Sequence, residues 1–289
     1  MKSLLVFGGS GQVGRAISKA ASGDWQIFSP SSATINLRDP EAAGRLILDV
    51  RPHAIINAAA FTRVDDAESD REGAFAVNAG SPNAMARSAA ELGVSFVHIS
   101  TDYVFDGTGR QPYRTDAPTN SLNVYGESKR AGELAVMAAN PNAAIVRTAW
   151  VHAGWGVNFV ATAVRLLTSG KSMQVVDDQV GTPTHAVNLA AALLCLLNRE
   201  AAGGIYHFTD SGVASWYDVA CCVHETLRNA GRLPPDVVVT PVSSAAYSRP
   251  ARRPQISILE THSSRSVVGW LQPHWREGVV TSVRELLRA

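Results

Sequence analysis

Tyr125 and Lys129 stand four residues apart in a stretch, 124–139, whose pattern predicts a helix. The phenol and the amine therefore project from one face of that helix. A free tyrosine holds its proton with a pKa of about 10. A neighbouring ammonium favours the phenolate and lowers that value, which suits the pair to proton exchange with a reacting oxygen. Alone, a Tyr-x-x-x-Lys spacing describes many exposed helix pairs. Here Ser100-Thr101-Asp102 follows a predicted strand over 95–100. Open α/β sheets collect their ligands at that end of a strand. The Thr101 hydroxyl can bond a substrate carbonyl; the plainer role for Thr101 and Asp102 is capping a turn.

A second constellation is Gly8-x-x-Gly11-x-x-Gly14. Glycine permits positive φ and lets the backbone approach a phosphate closely, and the following helix offers free N–H groups at its N-terminus. The spacing departs by one residue from G-x-G-x-x-G, and a tight turn without ligand uses the same residues. Ser29, Pro30 and Ser31 stand where an acidic residue would bind an NAD ribose, and no Arg or Lys marks a 2′-phosphate site. NADPH is thus the expected cofactor, with NADH also admitted. Asp39 can reach an adenine, and the small Ala58-Ala59-Ala60 lets a cofactor lie across them.

These residues need a frame to hold them. Strands are expected over 4–7, 25–28, 54–57, 95–100 and 143–147, with helices over 13–21, 40–49, 82–92 and 124–139. Short apolar strands alternating with helices predict a doubly wound parallel sheet, Rossmann-like and covered on both faces. After 150 the pattern loosens: helices over 159–167, 188–197, 216–230 and 277–287, a strand over 205–208, and a Pro-, Ser- and Arg-rich loop over 232–254. The division expected is a dinucleotide-binding domain over 1–150, with segments around 175–200 returning to it. A smaller substrate-binding domain takes most of 151–289.

The 289 residues carry 26 basic and 25 acidic side chains. So even a balance provides no electrostatic footprint for nucleic acid or an anionic membrane, and no apolar run approaches a membrane span. Three cysteines, two of them adjacent, match neither a disulfide framework nor a zinc site. The expected setting is the cytoplasm, with no metal. A homodimer is admitted, but the acidic residues near the C-terminus are too scattered to bridge one through a metal. Trp216, Trp270 and Trp275 read as packing residues, and the histidines, His98 among them, show no metal spacing.

The chain resembles the extended short-chain dehydrogenase/reductases, and within them the dTDP-4-dehydrorhamnose reductase family. The matching stretches are Gly8 to Gly14, Asn57 to Ala60, Val64 to Glu68, Ser100 to Gly107, Leu122 to Gly126 with Lys129, Arg147 to Val151, Asp177 to Thr184, Arg253-Pro254 and Trp275 with Gly278. Together they cover nearly the whole chain. The resemblance implies reduction of the C4 ketone of a dTDP-linked 4-keto-6-deoxy sugar by a nicotinamide cofactor. It makes Tyr125 the proton donor, Lys129 its partner and a ribose ligand, and Thr101 the third catalytic hydroxyl. Gly11, Gln12, Val13, Asp39, Ala59, Ala60 and Lys129 fall on cofactor positions. Thr62, Val64, Asp102, Tyr103 and Trp150 fall on substrate positions.

Asn158 and the cluster Arg249, Arg252 and Arg253 are candidates for the substrate diphosphate, because an arginine fork pairs with phosphate oxygens. A solvated Pro-flanked loop is the alternative. Departures from the family pattern are Phe61 in place of Tyr or His, His152 in place of Tyr, and the loose 256–260 segment. Two other readings remain: a related nucleotide-sugar ketoreductase or epimerase, and a non-catalytic NADP-binding regulatory subunit.

Overall fold

In a computed structural model, the chain is described at every residue except 22, 24, 200, 201, 248, 271 and 289. The first half runs β1 (Lys2–Phe7), α1 (Gln12–Ala20), β2 (Trp25–Phe28), α2 (Pro40–Val50), β3 (Ala54–Asn57), α3 (Val64–Ser69), α4 (Arg71–Phe75), α5 (Ser81–Leu92), β4 (Ser95–Thr101), α6 (Val124–Ala139) and β5 (Ala144–Thr148). The second half runs β6 (Val151–His152), α7 (Phe159–Thr168), β7 (Met173–Val176), β8 (Val180–Gly181), β9 (Thr184–His185), α8 (Ala186–Asn198), β10 (Gly204–His207), β11 (Ala214–Ser215), α9 (Trp216–Asn229), β12 (Val239–Val242), α10 (His262–Val268) and α11 (Trp275–Leu286).

Six parallel strands form the central sheet in the order β10-β5-β4-β3-β1-β2. The interior strands are apolar on both faces, as a sheet covered on both sides requires: all four residues of β3 and all five of β5 are buried. On one face Leu4, Val6 and Ile56 pack with Ile17 of α1 and Leu189, Ala190 and Leu193 of α8. On the other, Leu5, Phe7 and Ile55 pack with Ile47 of α2 and Met85 and Ala89 of α5. The order reverses between β1 and β3, which opens a crevice at their carboxyl ends. Phe7 is in register with Asn57 there, so Gly8 meets Ala58.

The chain returns to this sheet after residue 150, through α8 on one face and β10 beside β5. The rest is assembled from three two-stranded pieces, β11-β8, β12-β7 and β6-β9, around α7, α9 and α11. Val160, Val164, Val219, Val223, Trp275 and Val279 form their separate core. Trp270 and Trp275 are buried, as the packing reading expected. The loop expected over 232–254 contains β12, which pairs with β7 and carries Pro241. Proline is tolerated because the ribbon is only two strands wide. Helices α3, α4 and α10 were not anticipated from the sequence.

Candidate active site

The turn after β1 is shaped by its glycines. Gly8 has φ +82°, and a Cβ there would lie 2.7 Å from the backbone of Ala58 and Ala59. A Cβ on Gly14 would collide with the Gly8 carbonyl, so α1 can approach the turn only without one. Gly11, the N-cap of α1, makes no side-chain cap bond. The N-terminal N–H groups and the positive end of the helix dipole therefore face the crevice uncapped by any side chain. These are the dimensions of a cradle for a pyrophosphate.

Helix α6 is fixed at its start and along its middle. The Asn123 carboxamide accepts the Gly126 N–H at 2.8 Å and donates to the Arg252 carbonyl at 2.7 Å. Glu68 accepts the Val124 N–H at 2.9 Å. Gly126 allows the helix to press against the Tyr103 carbonyl, where a Cβ would not fit. In a π-helical turn over Ala76–Gly80, buried Asn78 binds both backbone groups of Phe61 and donates to the Ser128 hydroxyl at 2.9 Å. That side chain couples α6, between Tyr125 and Lys129, to the segment that follows β3. Lower on the same helix face, buried Glu133 accepts from Ser100 at 2.6 Å and from both Nε and Nη2 of Arg147 at 2.7 and 2.8 Å. Ser100 adjoins Thr101, so the network holds the Tyr125-Lys129-Glu133 stripe against the ends of β4 and β5.

Above these supports lies a cleft of about 700 Å³. Its lining brings together Thr101, Asp102, Tyr103, Tyr125 and Lys129 with Gly8, Gly11, Gln12 and Val13. Ala59, Ala60, Thr62, Val64, Trp150 and Asn158 line it as well. Burial pushes the Tyr125 phenol up to about 12; Asp102 adds to the rise and the Thr101 hydroxyl opposes it. The expectation of an ammonium-depressed phenol does not hold here. The Lys129 amine donates instead to the Ile99 carbonyl at 2.6 Å and stands 3.5 Å from His98 Nε2. Its own pKa is brought down to about 8 by burial, against the opposing charge of Glu133. Burial likewise raises the Asp102 carboxyl to about 6, while bonds from neighbouring groups hold it back. Asp102 Oδ1 accepts from Thr101 at 3.0 Å; the Ser257 hydroxyl is near enough to the carboxyl to favour its charged form, but the buried Oδ2 makes no well-aligned hydrogen bond among the described residues.

Five expected site residues lie outside the lining; of these Arg249 and Arg252 are exposed, Arg249 bonding the Tyr247 hydroxyl at 2.9 Å. Gly14 acts from behind, by the close approach just described. Asp39 caps α2 by accepting the Glu41 N–H at 3.1 Å and pairs with Arg45 at 2.7 Å, on the surface. Arg253 forks onto Asp65 of α3 at 2.6 and 3.0 Å and bonds the Ala251 carbonyl. Its guanidinium is thus already paired, tying the 251–254 segment to the first half. Asn158 is also committed: it caps α7 through Ala161 N at 2.8 Å and donates to Gln12 Oε1 at 2.8 Å.

The family described as RmlD substrate binding domain matches residues 1–288. The chain belongs to this family. It is similar to the dTDP-4-dehydrorhamnose reductase of Escherichia coli (strain K12), 39% identical over 98% of each chain. Among solved structures it is similar to the dTDP-4-dehydrorhamnose reductase of Clostridium acetobutylicum, with TM-score 0.91 and 35% identity over 99% of this chain and 100% of that one. The dTDP-4-dehydrorhamnose reductase of Bacillus anthracis, solved in complex with NADP, superposes with TM-score 0.90 at 30% identity, covering 100% of this chain and 99% of that one.

Within the cleft of this RmlD-family chain, the residue sequence reasoning missed is Trp216. It lines the cleft and stacks on Trp150, with ring centroids 3.7 Å apart and planes 8° apart. Phe159 meets its edge at 4.9 Å. Trp150 holds φ +48°, a conformation that costs a non-glycine residue about 1–3 kcal/mol unless its surroundings enforce it. The stack, worth roughly 0.5–1.5 kcal/mol beyond its buried area, offsets part of that. The available signal was Ser215-Trp216-Tyr217-Asp218, whose ends form the capping box of α9. A helix start is legible there; the direction of the indole is not.

Proposed function

We propose that the chain catalyses NAD(P)H-dependent reduction of the C4 ketone of dTDP-4-dehydro-β-L-rhamnose to dTDP-L-rhamnose, the last step in making that sugar donor for cell-surface polysaccharide. The observation that carries the reading is the convergence of Thr101, Tyr125 and Lys129 beside a glycine cradle in one cleft, in a chain of this family. The cradle fits a dinucleotide: Gly8, Gly11, Gln12, Val13 and Gly14 would hold the pyrophosphate, Ala59 and Ala60 the adjoining segment, and Lys129 the ribose hydroxyls. A nicotinamide held there would supply the hydride for the ketone carbon.

The protein's own contribution is orientation and a proton. Tyr125 remains fully protonated at neutral pH because its phenol is pushed up to about 12. It is a proton store, ready to donate to the oxygen as that atom gains charge. Thr101 adds a second hydroxyl donor at the same oxygen. Asp102, with one acceptor oxygen unused and buried, is placed to receive a sugar hydroxyl, and Thr62, Val64, Tyr103 and Trp150 shape the rest of the sugar site. Arg253 acts through Asp65 by holding the wall in place, and Asn158 acts through Gln12.

In this reading residues 1–150, with the return at α8 and β10, form the cofactor half, and the remainder of 151–289 the substrate half. We place the reaction in the cytoplasm, where free thiols such as Cys195, Cys221 and Cys222 persist. The proposal extends to a homodimer, which sedimentation tests. The deciding assay supplies the 4-keto-6-deoxy-L-hexose nucleotide with NADPH or NADH, follows loss of the reduced coenzyme, and identifies the product by NMR. Stoichiometric consumption with formation of the rhamno product is expected. Isomerisation without net consumption marks an epimerase, and cofactor binding without turnover marks a regulatory subunit.

A further inference from the structure

We propose that Trp216 is the specificity wall for the deoxyhexose ring, with Trp150 as its backing. The inference rests on the substrate reading given above. Thr101 of β4 is in register with Thr148 of β5, and Trp150 follows Thr148 by two residues. The indole stack therefore begins just past the strand end that adjoins Thr101, and it lines the same cleft as Tyr125. Trp150 is confined: a Cβ at Gly181 would lie 2.8 Å from its six-membered ring, and Trp216 lies parallel to it at 3.7 Å.

Trp216 is the first residue of α9 and is rigidly mounted. The Ser215-Asp218 capping box closes the helix beneath it, and β11 pairs with β8 just before it. It is partly exposed and lines the same cleft as Thr101 and Tyr125. A ring there faces whatever lies next to the ketone, which is the hexose and not the base, because a diphosphate separates the two.

The chemistry of a 6-deoxy sugar fits such a wall. Its C5–C6 methyl side is an apolar patch that buries well against an indole. A sugar with a C6 hydroxyl would have to desolvate that group against carbon without a hydrogen bond. Trp216 thereby selects for the missing oxygen, a task nothing in the Tyr125 and Thr101 chemistry performs.

Calorimetric titration of the full-length Trp216→Leu and Trp216→Phe variants with NADP⁺, dTDP and dTDP-L-rhamnose tests this. The leucine variant is expected to lose roughly 5–10-fold in affinity for dTDP-L-rhamnose. Its affinities for dTDP and NADP⁺ should stay within about twofold, a free-energy change well below that of a lost aromatic contact. Phenylalanine should recover most of the loss. The near-UV circular dichroism couplet of the stacked indoles should vanish in both. Equal losses for dTDP and dTDP-L-rhamnose would assign the wall to the base and overturn the proposal. Unchanged affinity would do so too, as would a parallel loss of NADP⁺ binding, which marks a purely structural role. Should the leucine variant not fold, Trp216→Met takes its place and must show the same selective loss. Failure of the wild-type chain to bind dTDP-L-rhamnose would count against the substrate reading, not against the placement of Trp216.

Discussion

The two walls of the cleft are built by opposite means. On the sheet side each functional residue sits one step beyond a strand or on the helix that follows it: Gly8 after β1, Ala58 after β3, Thr101 ending β4, Tyr125 opening α6. The register of one continuous parallel sheet places them side by side, although they are far apart in sequence. On the opposite side the pairing is broken into isolated two-residue strands, β8 with β11 and β6 with β9. Trp216 of α9 stacks on Trp150 where those small ribbons come together. The proposed proton chemistry thus rests on one continuous sheet, while the proposed recognition of the sugar rests on the closure of small separate ribbons.

If that division holds, the largest effect belongs to the sheet side. Tyr125→Phe should lower kcat by about 10²–10⁴-fold, the usual weight of a general acid, with substrate affinity much less affected. Stopped-flow or steady-state coenzyme oxidation measures it, and near-normal turnover would remove the phenol from the proton transfer. Gly8→Ala comes next. A Cβ 2.7 Å from the Ala58–Ala59 backbone at φ +82° should cost about 1–3 kcal/mol of stability and at least roughly tenfold in NADP⁺ affinity. Melting curves and calorimetry report the two separately.

A third effect concerns protons. The folded-state pKa of Asp102 is raised to about 6, so the native state binds a proton more tightly than the unfolded chain does. Its contribution is favourable at low pH and is lost as pH rises toward and through 6. Asp102→Asn should therefore raise Tm at pH 8, by the equivalent of about 1–3 kcal/mol, with the gain disappearing near pH 4, and should weaken substrate binding. Equal Tm differences at both pH values would show that the carboxyl is not the origin. The smallest effect tests the boundary itself. Asp39→Ala should cost about 1 kcal/mol, the worth of an N-cap, and leave coenzyme affinity unchanged; a tenfold weakening would restore Asp39 to the cofactor site.

What could be read from sequence follows the same division. The five strands from Lys2 to Thr148 and the helices between them carry strong apolar runs, and their ends carry the motif residues, so sheet and cofactor turn were both legible. The α3–α4 stretch was not, because Val64 to Phe75 is crowded with Asp, Glu and Arg and shows no apolar stripe; its helices are held by contacts such as Asp65 with Arg253. The burial of Tyr125 and the diversion of Lys129 to the Ile99 carbonyl depend on residues brought from β4. A spacing rule on α6 therefore picks out two residues that do line one cleft, but gives the opposite direction for the phenol's pKa shift. Asp39 and Arg253 illustrate the converse: charges suited to ligands were already paired with Arg45 and Asp65.

The late return of the chain to its first sheet has a practical meaning for anyone wishing to dissect it. A fragment ended at residue 150 would leave β5 as a bare edge, and it would strip Leu189, Ala190 and Leu193 from Ile17 and the strands beneath. Such a piece would offer sticky hydrogen-bonding groups and uncovered aliphatic surface to its own copies. The coenzyme half cannot be lifted out as a module; grafting new sugar recognition must be done by exchanging segments inside one uninterrupted polypeptide.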